Sequence, residues 1–402
     1  MRKRHDYLVG LDAGTDQTRC VVALEEDSHL RFISHGQATA DGWTRESITN
    51  QDAVLQSVEE CVQQAEKNGG MAIEAAVVGV GGSHVQSNVS HTYVHLPSGE
   101  NEVQQAQVDA VVRAAGESSL GGDRTLLQLI PLSFAVDQQS GLQNPVGMSG
   151  QRLDAHVQVI TAQAQAHSNL CAVVNRASLV VQETVFEPFA AAQAVLEERE
   201  REMGVVVIDM GAGSVDFAAY VDSHLRLAGA LPVGGSHFVG DVSTVLRTPR
   251  EEAARLIQQY GCAIAEQTPQ NIMIEVPGIV PELSEPKPRR LLNRILQARA
   301  EETFELVAAE LRRSRLEHLV IAGVVLTGGL AALAGLCDVA ESTMNTPARI
   351  GLPPRLEDMP QELDHPAWAT TIGLVLYAQR LRLYQQRRRD RVTDWLKSLL
   401  DT

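Results

Sequence analysis

Gly10-Leu11-Asp12-Ala13-Gly14-Thr15 and Val207-Ile208-Asp209-Met210-Gly211-Ala212-Gly213-Ser214-Val215-Asp216 repeat one pattern: an apolar run, an aspartate, then glycines. The preceding runs, Tyr7 to Val9 and Val205 to Ile208, read as strands, and glycines just past a strand expose backbone N–H groups at a tight turn. Two such hairpins facing each other form a clamp for phosphate. Their aspartates alone would repel a phosphate, so the arrangement calls for a divalent cation and its water shell in between. The pattern predicts a Mg-nucleotide.

A third element supports this. Val324-Val325-Leu326-Thr327-Gly328-Gly329 is an apolar strand ending in paired glycines, followed by the helix-like Leu330 to Leu336. Glycines there let the backbone approach a flat ligand such as adenosine. A helix-like Glu187-Pro188-Phe189-Ala190-Ala191-Ala192 precedes the second hairpin. The order of these elements resembles the actin, Hsp70 and sugar-kinase superfamily of ATPases.

Between the motifs lie Ile130-Pro131, Phe134-Ala135-Val136-Asp137, Asn144-Pro145-Val146-Gly147-Met148-Ser149-Gly150 and Arg152-Leu153. They resemble the insert peculiar to the bacterial FtsA cell-division family. So do Leu231-Pro232-Val233-Gly234-Gly235 with Gly240-Asp241-Val242, and Ala298-Arg299-Ala300-Glu301-Glu302. The resemblance runs nearly end to end.

It implies an α/β, actin-like two-lobed ATPase fold of duplicated ribonuclease H-like domains, with an insert subdomain and a C-terminal amphipathic helix. The expected divisions are 1–82, 162–190 and 365–386 for the first lobe and 83–161 for the insert. The second-lobe core takes 191–235 and 305–364, its outer subdomain 236–304, and the terminal helix 387–402. Carried onto this chain, Asp12 and Asp209 hold Mg through its waters. The backbone of Gly14, Thr15, Gly211, Ala212, Gly213 and Ser214 surrounds the β- and γ-phosphates. Gly234 and Gly235 are further nucleotide-binding positions, and Gly328 and Gly329 border adenine and ribose. Glu187 is the catalytic candidate, placing a lytic water, and Asp216 is a further acidic position beside the nucleotide.

Two departures bear on turnover. Asp16-Gln17 stands where the family usually has a hydroxyl residue and a lysine, so the first loop has exchanged a cation for an anion. Beside phosphates that costs about 1 kcal/mol or more, depending on exposure. Ser236-His237 replaces a more polar pair. The expectation is ATP binding with slow or negligible hydrolysis.

At 402 residues and 44% apolar content the chain can bury more than one core, and alternating strand and helix patterns favour α/β architecture. No run of about 18 apolar residues occurs, and Met1 to Asp6 leads into a strand, so a cytoplasmic protein is expected. Cys20, Cys61, Cys171, Cys262 and Cys337 lack metal or disulfide spacing and read as packing residues. His84, His91 and His95 have no acidic or thiol companions at ligand spacing.

A net charge of −16 argues against nucleic acid. The sign reverses from Gln379 to Lys397, where seven basic residues face two acidic ones, a local +5 against −21 elsewhere. Val392, Trp395, Leu396, Leu399 and Leu400 then form one helical stripe. At roughly 1.5 to 3 kcal/mol per fully buried large apolar side chain, partial burial contributes several kcal/mol to membrane binding. Arg388, Arg389 and Arg391 add about 1 kcal/mol each against anionic lipid. Such a terminal helix is also a family trait, although the family commonly precedes it with a flexible linker. Here Gln385 to Arg391 contains no glycine or proline.

A pass along the chain gives helices at Asp52–Asn68, Val103–Ala115, Ala190–Arg201, Thr248–Tyr260 and Leu291–Arg313. Glu275–Arg290, punctuated by prolines, reads as an exposed connection. The resemblance implies a protein that polymerises side by side and grips the C-terminal tail of the tubulin-like FtsZ. It also implies downstream division-protein partners and a place on the cytoplasmic face of the membrane at the division site. The alternatives are a pilus-type or chaperone-type ATPase of the same superfamily, or a sugar or acetate kinase, which would leave the insert and terminal helix without a task.

Overall fold

The computed structural model describes residues 7–26, 29–44, 47–97, 102–278 and 284–400, with side chains up to residue 384. The chain begins with β1 (Tyr7–Ala13), β2 (Gln17–Glu26), β3 (His29–Thr39), the short pair β4 (Trp43–Thr44) and β5 (Ser47–Ile48), α1 (Gln51–Gly69) and β6 (Ala75–Val80). Next come β7 (Val85–His95), α2 (Gln105–Ser119), β8 (Arg124–Val136), β9 (Gln139–Leu142) and β10 (Arg152–Gln163). They lead into α3 (Ala164–Arg176), β11 (Val180–Phe186), α4 (Glu187–Val195) and α5 (Glu198–Met203). The second half holds β12 (Val205–Met210), β13 (Val215–Val221), β14 (His224–Leu231), α6 (Gly235–Leu246), α7 (Arg250–Tyr260), β15 (Met273–Val276) and β16 (Glu285–Pro288). It ends with α8 (Arg289–Arg313), β17 (Gly323–Thr327), α9 (Leu336–Met344), β18 (Ala348–Ile350) and α10 (Ala369–Leu400).

Two five-stranded sheets share one topology. In the first lobe the order is β3-β2-β1-β6-β11, and in the second β14-β13-β12-β17-β18. Each opens with an antiparallel meander, then adds two strands parallel to its first. Identical order in both halves is the duplication expected of the actin-like fold. Alternation along β1 explains the layering: Val9, Leu11 and Ala13 face the core that contains α1, while Leu8 joins the core built with α10. Asn50 caps α1 by accepting from the Asp52 and Ala53 amides, and Gly70 ends it at φ +64°. Between β6 and α3 sits the insert, a sheet of order β7-β10-β8-β9 whose inner face packs on α2 through Val111, Ala115, Leu153, Ala155 and Val157.

Helices α4 and α10 cross between the lobes, and small residues set their separation. A Cβ on Gly373 would sit 2.0 Å from the Ala190 carbonyl oxygen, and one on Gly10 would sit 2.4 Å from that of Thr371. Backbone therefore lies directly on backbone where α10 meets α4 and β1. Gly373→Ala is expected to destabilise the protein by about 1 to 3 kcal/mol, because the obstructing atom is main chain. A urea midpoint equal to wild type would refute this.

The fold departs from the sequence reading in five places. Ala190–Arg201 is two helices, not one: Leu196 is extended, and Glu197 with Glu200 forms a capping box that starts α5. Leu330–Leu336 holds a single 3-10 turn over Gly329–Ala332 before α9 begins beyond the left-handed Gly335. Within Glu275–Arg290, β15 and β16 pair as an antiparallel ribbon that buries Ile274 and Val276, with prolines tolerated on its edge. Val103–Ala115 shifts to Gln105–Ser119. Finally, α10 runs unbroken to Leu400, as a stretch without glycine or proline allows. The side chains of Arg388, Arg389, Arg391, Val392, Trp395, Leu396, Leu399 and Leu400 lie outside the described residues. No helix among the described residues is long and apolar enough to cross a membrane.

Candidate functional site

Both Asp-x-Gly turns stand at the carboxyl ends of their lobes' first strands, facing the crevice between the sheets. In the first, β1 and β2 pair up to Ala13 opposite Thr18, leaving Gly14, Thr15 and Asp16 as the loop. The amides of Gly14 and Thr15 donate to no group among the described residues. Asp16 is exposed, and only its carbonyl oxygen is engaged, accepting from the Ala40 amide at 2.9 Å. The anion that replaced a hydroxyl residue is thus turned toward solvent.

The second turn is more tightly built. Asp209 stands opposite Asp216, and the Gly211 amide donates to the Ser214 carbonyl at 3.0 Å. The Gly211 and Ala212 carbonyls accept from the Gly235 and Ser236 amides, each at 2.9 Å. The amides of Ala212 and Gly213 are left without acceptors among the described residues. Gly234 packs so closely on this loop that a Cβ would lie 2.6 Å from the Ala212 carbonyl oxygen. One of the two departures has a structural task here, since the ring Nδ1 of His237 accepts from the Gly234 amide and caps α6.

Four carboxylates converge in the crevice. Asp12 ends β1, and Asp209 ends β12 of the other lobe. Glu187 opens α4 beneath β6, where Gly81 makes room: a Cβ there would sit 2.2 Å from Glu187 Oε2. Asp216 accepts from the Gly82 amide across the lobes at 2.7 Å and from the Ser214 hydroxyl at 2.5 Å. Asp209 accepts from the Thr370 hydroxyl at the start of α10. Gly328, at φ +86°, presses against Asp209, so a Cβ would lie 2.3 Å from its Oδ1. Gly329, by contrast, faces open space. The two glycines read alike from sequence therefore differ: one seats the carboxylate and the other borders the cavity.

Crowding sets the electrostatics. Burial, offset in part by Arg19 and reinforced by Asp209, pushes Asp12 up to about 6. Glu187 is raised well above the usual carboxylate range by burial first, then by Asp12, Asp216 and Asp209. Asp209 is raised by burial against the opposing pull of the Thr370 hydroxyl and Arg19. Such a cluster is short of positive charge.

Arg19, absent from the sequence reading, is the cation nearest to hand. It stands directly opposite Asp12 across the β1–β2 pair, on the same face. Strand register alone carried that signal: a residue seven positions past Asp12, across a short turn, returns to its side. Thr370 and Gly82 were also missed, and being distant in sequence they left no local trace.

No three His, Cys, Asp or Glu side chains among the described residues are arranged to grip a bare metal ion. The donor set fits Mg bound through its waters: Asp12 and Asp209 would accept from those waters, and the open amides of both loops would be free for phosphate oxygens. A magnesium ion held there would supply the positive charge that the crowded carboxylates lack.

The chain matches known proteins along most of its length. The family profile described as cell division protein FtsA matches residues 206–373, and that of the SHS2 domain inserted in FTSA matches residues 82–161. It is 32% identical to the cell division protein FtsA of Pseudomonas aeruginosa over 92% of this chain and 88% of that one. It is 29% identical to the FtsA of Escherichia coli K12 over 98% of this chain and 96% of the other. Among solved structures, the PilM-PilN type IV pilus biogenesis complex superposes with a TM-score of 0.68 at 15% identity, covering 93% of this chain and 99% of that one. MreB5 of Spiroplasma citri bound to AMPPNP gives 0.56 at 12% identity, over 95% and 98% of the two chains. At those identities the likeness speaks for the fold, which is actin-like.

Proposed function

The chain belongs to the FtsA family of cell-division proteins, and on that premise we propose that it binds ATP with magnesium between its lobes, polymerises, and tethers FtsZ filaments to the membrane. The observation carrying this reading is the meeting of Asp12, Glu187, Asp209 and Asp216 beneath unsatisfied loop amides from both lobes. A ligand touching both hairpins favours one lobe arrangement, and stacking of neighbouring copies depends on that arrangement. Turnover is slow in this reading, since burial and the neighbouring carboxylates raise Glu187 and so weaken its tendency to act as a base.

The second lobe offers a surface for the FtsZ C-terminal tail. Val245, Ile272 and Met273 are exposed there, and the Lys287 ammonium joins their elements by donating to the Leu246 carbonyl. The terminal helix with its arginines and apolar stripe supplies a reversible anchor to anionic lipid, strengthened when many anchors share one filament. The site of action is then the cytoplasmic face of the membrane at the septum, beside downstream division proteins. A pilus-type ATPase shares the fold, but the match of residues 82–161 to the FtsA insert favours the division role.

Flotation with anionic vesicles tests the anchor. Full-length protein is expected to float and a version ending at Tyr384 to stay at the bottom of the gradient; equal behaviour of the two removes the tether. Co-sedimentation of the full-length protein with an FtsZ tail peptide tests the partner.

A further inference from the structure

The β1–β2 register places Arg19 on the face that bears Asp12, Val21 and Ala23, against the core shared with α10. At the end of that core its guanidinium carbon lies 5.6 Å from the centre of the Trp368 ring. Trp368 is 6% exposed and is itself held edge-on by His35, with ring centres 5.3 Å apart. A cation held over a buried indole in this way is oriented without spending a hydrogen-bond donor.

The donors of Arg19 are uncommitted. Four carboxylates crowd the crevice, yet among the described residues Arg19 makes no salt bridge or hydrogen bond, and its Nε is shielded from solvent without a partner. Its field still reaches both lobes, opposing the upward shift of Asp12 and of Asp209 and disfavouring the charged form of His365. Paired with Asp12 across the β1–β2 register and within electrostatic reach of Asp209, but bonded to neither, Arg19 stands beside the gap between them. In the nucleotide reading proposed above, that gap is where the phosphates lie.

We propose that Arg19, steadied by Trp368, is the phosphate-binding cation of this cleft, standing in for the lysine that the sequence resemblance places at position 17, two residues earlier on strand β2. Without nucleotide it serves as counter-ion to Asp12 and Asp209; with nucleotide its free N–H groups turn to phosphate oxygens. The hairpin has not lost its cation: the charge has moved two residues onward along strand β2, from position 17 at its start to position 19 opposite Asp12. Trp368 is a positioning residue in this scheme. As it lies just before α10, the same contact ties phosphate capture to the start of that helix.

The inference rests on the proposed nucleotide site, so the test separates the two. Equilibrium binding of Mg-ATP, Mg-ADP and adenosine to the full-length protein is compared for wild type, Arg19→Ala, Arg19→Lys and the double variant Gln17→Lys/Arg19→Ala. Arg19→Ala is expected to weaken ATP and ADP roughly 10- to 100-fold, the worth of a charge-assisted hydrogen bond, and to leave adenosine unchanged. Arg19→Lys should lose less, and Gln17→Lys should restore part of the affinity by returning a charge to the start of β2. In a Trp43→Phe/Trp395→Phe background, Trp368 emission should change on adding Mg-ATP, and the change should vanish with Arg19→Ala. Equal ATP affinity of Arg19→Ala and wild type overturns the proposal. So does an Arg19→Lys variant as impaired as Arg19→Ala, which would reduce the residue to packing. Wild type that binds none of the three ligands overturns the nucleotide reading itself, a result distinct from either.

Discussion

Mg-ATP is expected to raise the melting temperature of the wild-type protein, and Asp209→Ala to abolish that rise. A ligand at about a hundred times its dissociation constant stabilises by about 2.7 kcal/mol, a shift readily seen by calorimetry or dye fluorescence. Asp209 is the residue on which this depends most, being wedged between the Thr370 hydroxyl and Gly328 at the end of the second lobe's central strand. Neither neighbour can replace its negative charge toward magnesium waters. Asp209→Asn keeps an acceptor for Thr370 and should fold like wild type while still losing the shift, which separates binding from folding. Gly328→Ala should behave as Asp209→Ala, because a methyl group there displaces the carboxylate. An unchanged melting shift in Asp209→Ala would mean that the hairpins do not hold the nucleotide.

The second large effect is on the nucleotide-free protein. Asp12 is raised from 3.8 to about 6 in the folded state. The folded protein then binds more protons than the unfolded chain between those values, so stability falls as pH rises through that window. The difference corresponds to a penalty of up to about 3 kcal/mol, absent below pH 4 and complete above about pH 6. Glu187 adds to it in the same direction at higher pH. Asp12→Asn should therefore be more stable than wild type at pH 7.5 and equal to it at pH 4, measured by urea denaturation without nucleotide. A wild-type pH profile whose slope Asp12→Asn leaves untouched would contradict the placement of Asp12 in a crowded, desolvated crevice. Residues that cost the empty protein stability at neutral pH mark a cleft adapted to its ligand.

Local chemistry made the core of the site legible. A strand that ends in aspartate and glycine announces its turn, so the loops at Asp12, Asp209 and Gly328 could be read before any contact was known. The insert was readable for another reason, since segments such as Asn144 to Gly150 carry enough particular residues to resemble one family. Non-local features were not readable. Arg19 needed the register of a hairpin, and Thr370 and Gly82 needed the meeting of segments more than a hundred residues from their partners, Asp209 and Asp216. Identity of strand order across the lobes was hidden because topology is retained while side chains diverge. The break between α4 and α5 was missed because Ala190 to Arg201 is rich in helix formers, and a capping pair outweighed propensity.

Helix α10 begins beside Asp209 and continues for 32 residues. At about 1.5 Å per residue that is a rod of about 48 Å, anchored at its root by backbone contacts through Gly10 and Gly373. In the tether proposed above, such a rod would have bearing as well as length. Where a coil would let each subunit tumble beneath its point of attachment, a stiff shaft fixes which side of the body looks away from that point. Every copy in a row so tethered would present the same profile, and a small rotation at the root would become a wide sweep at the tip.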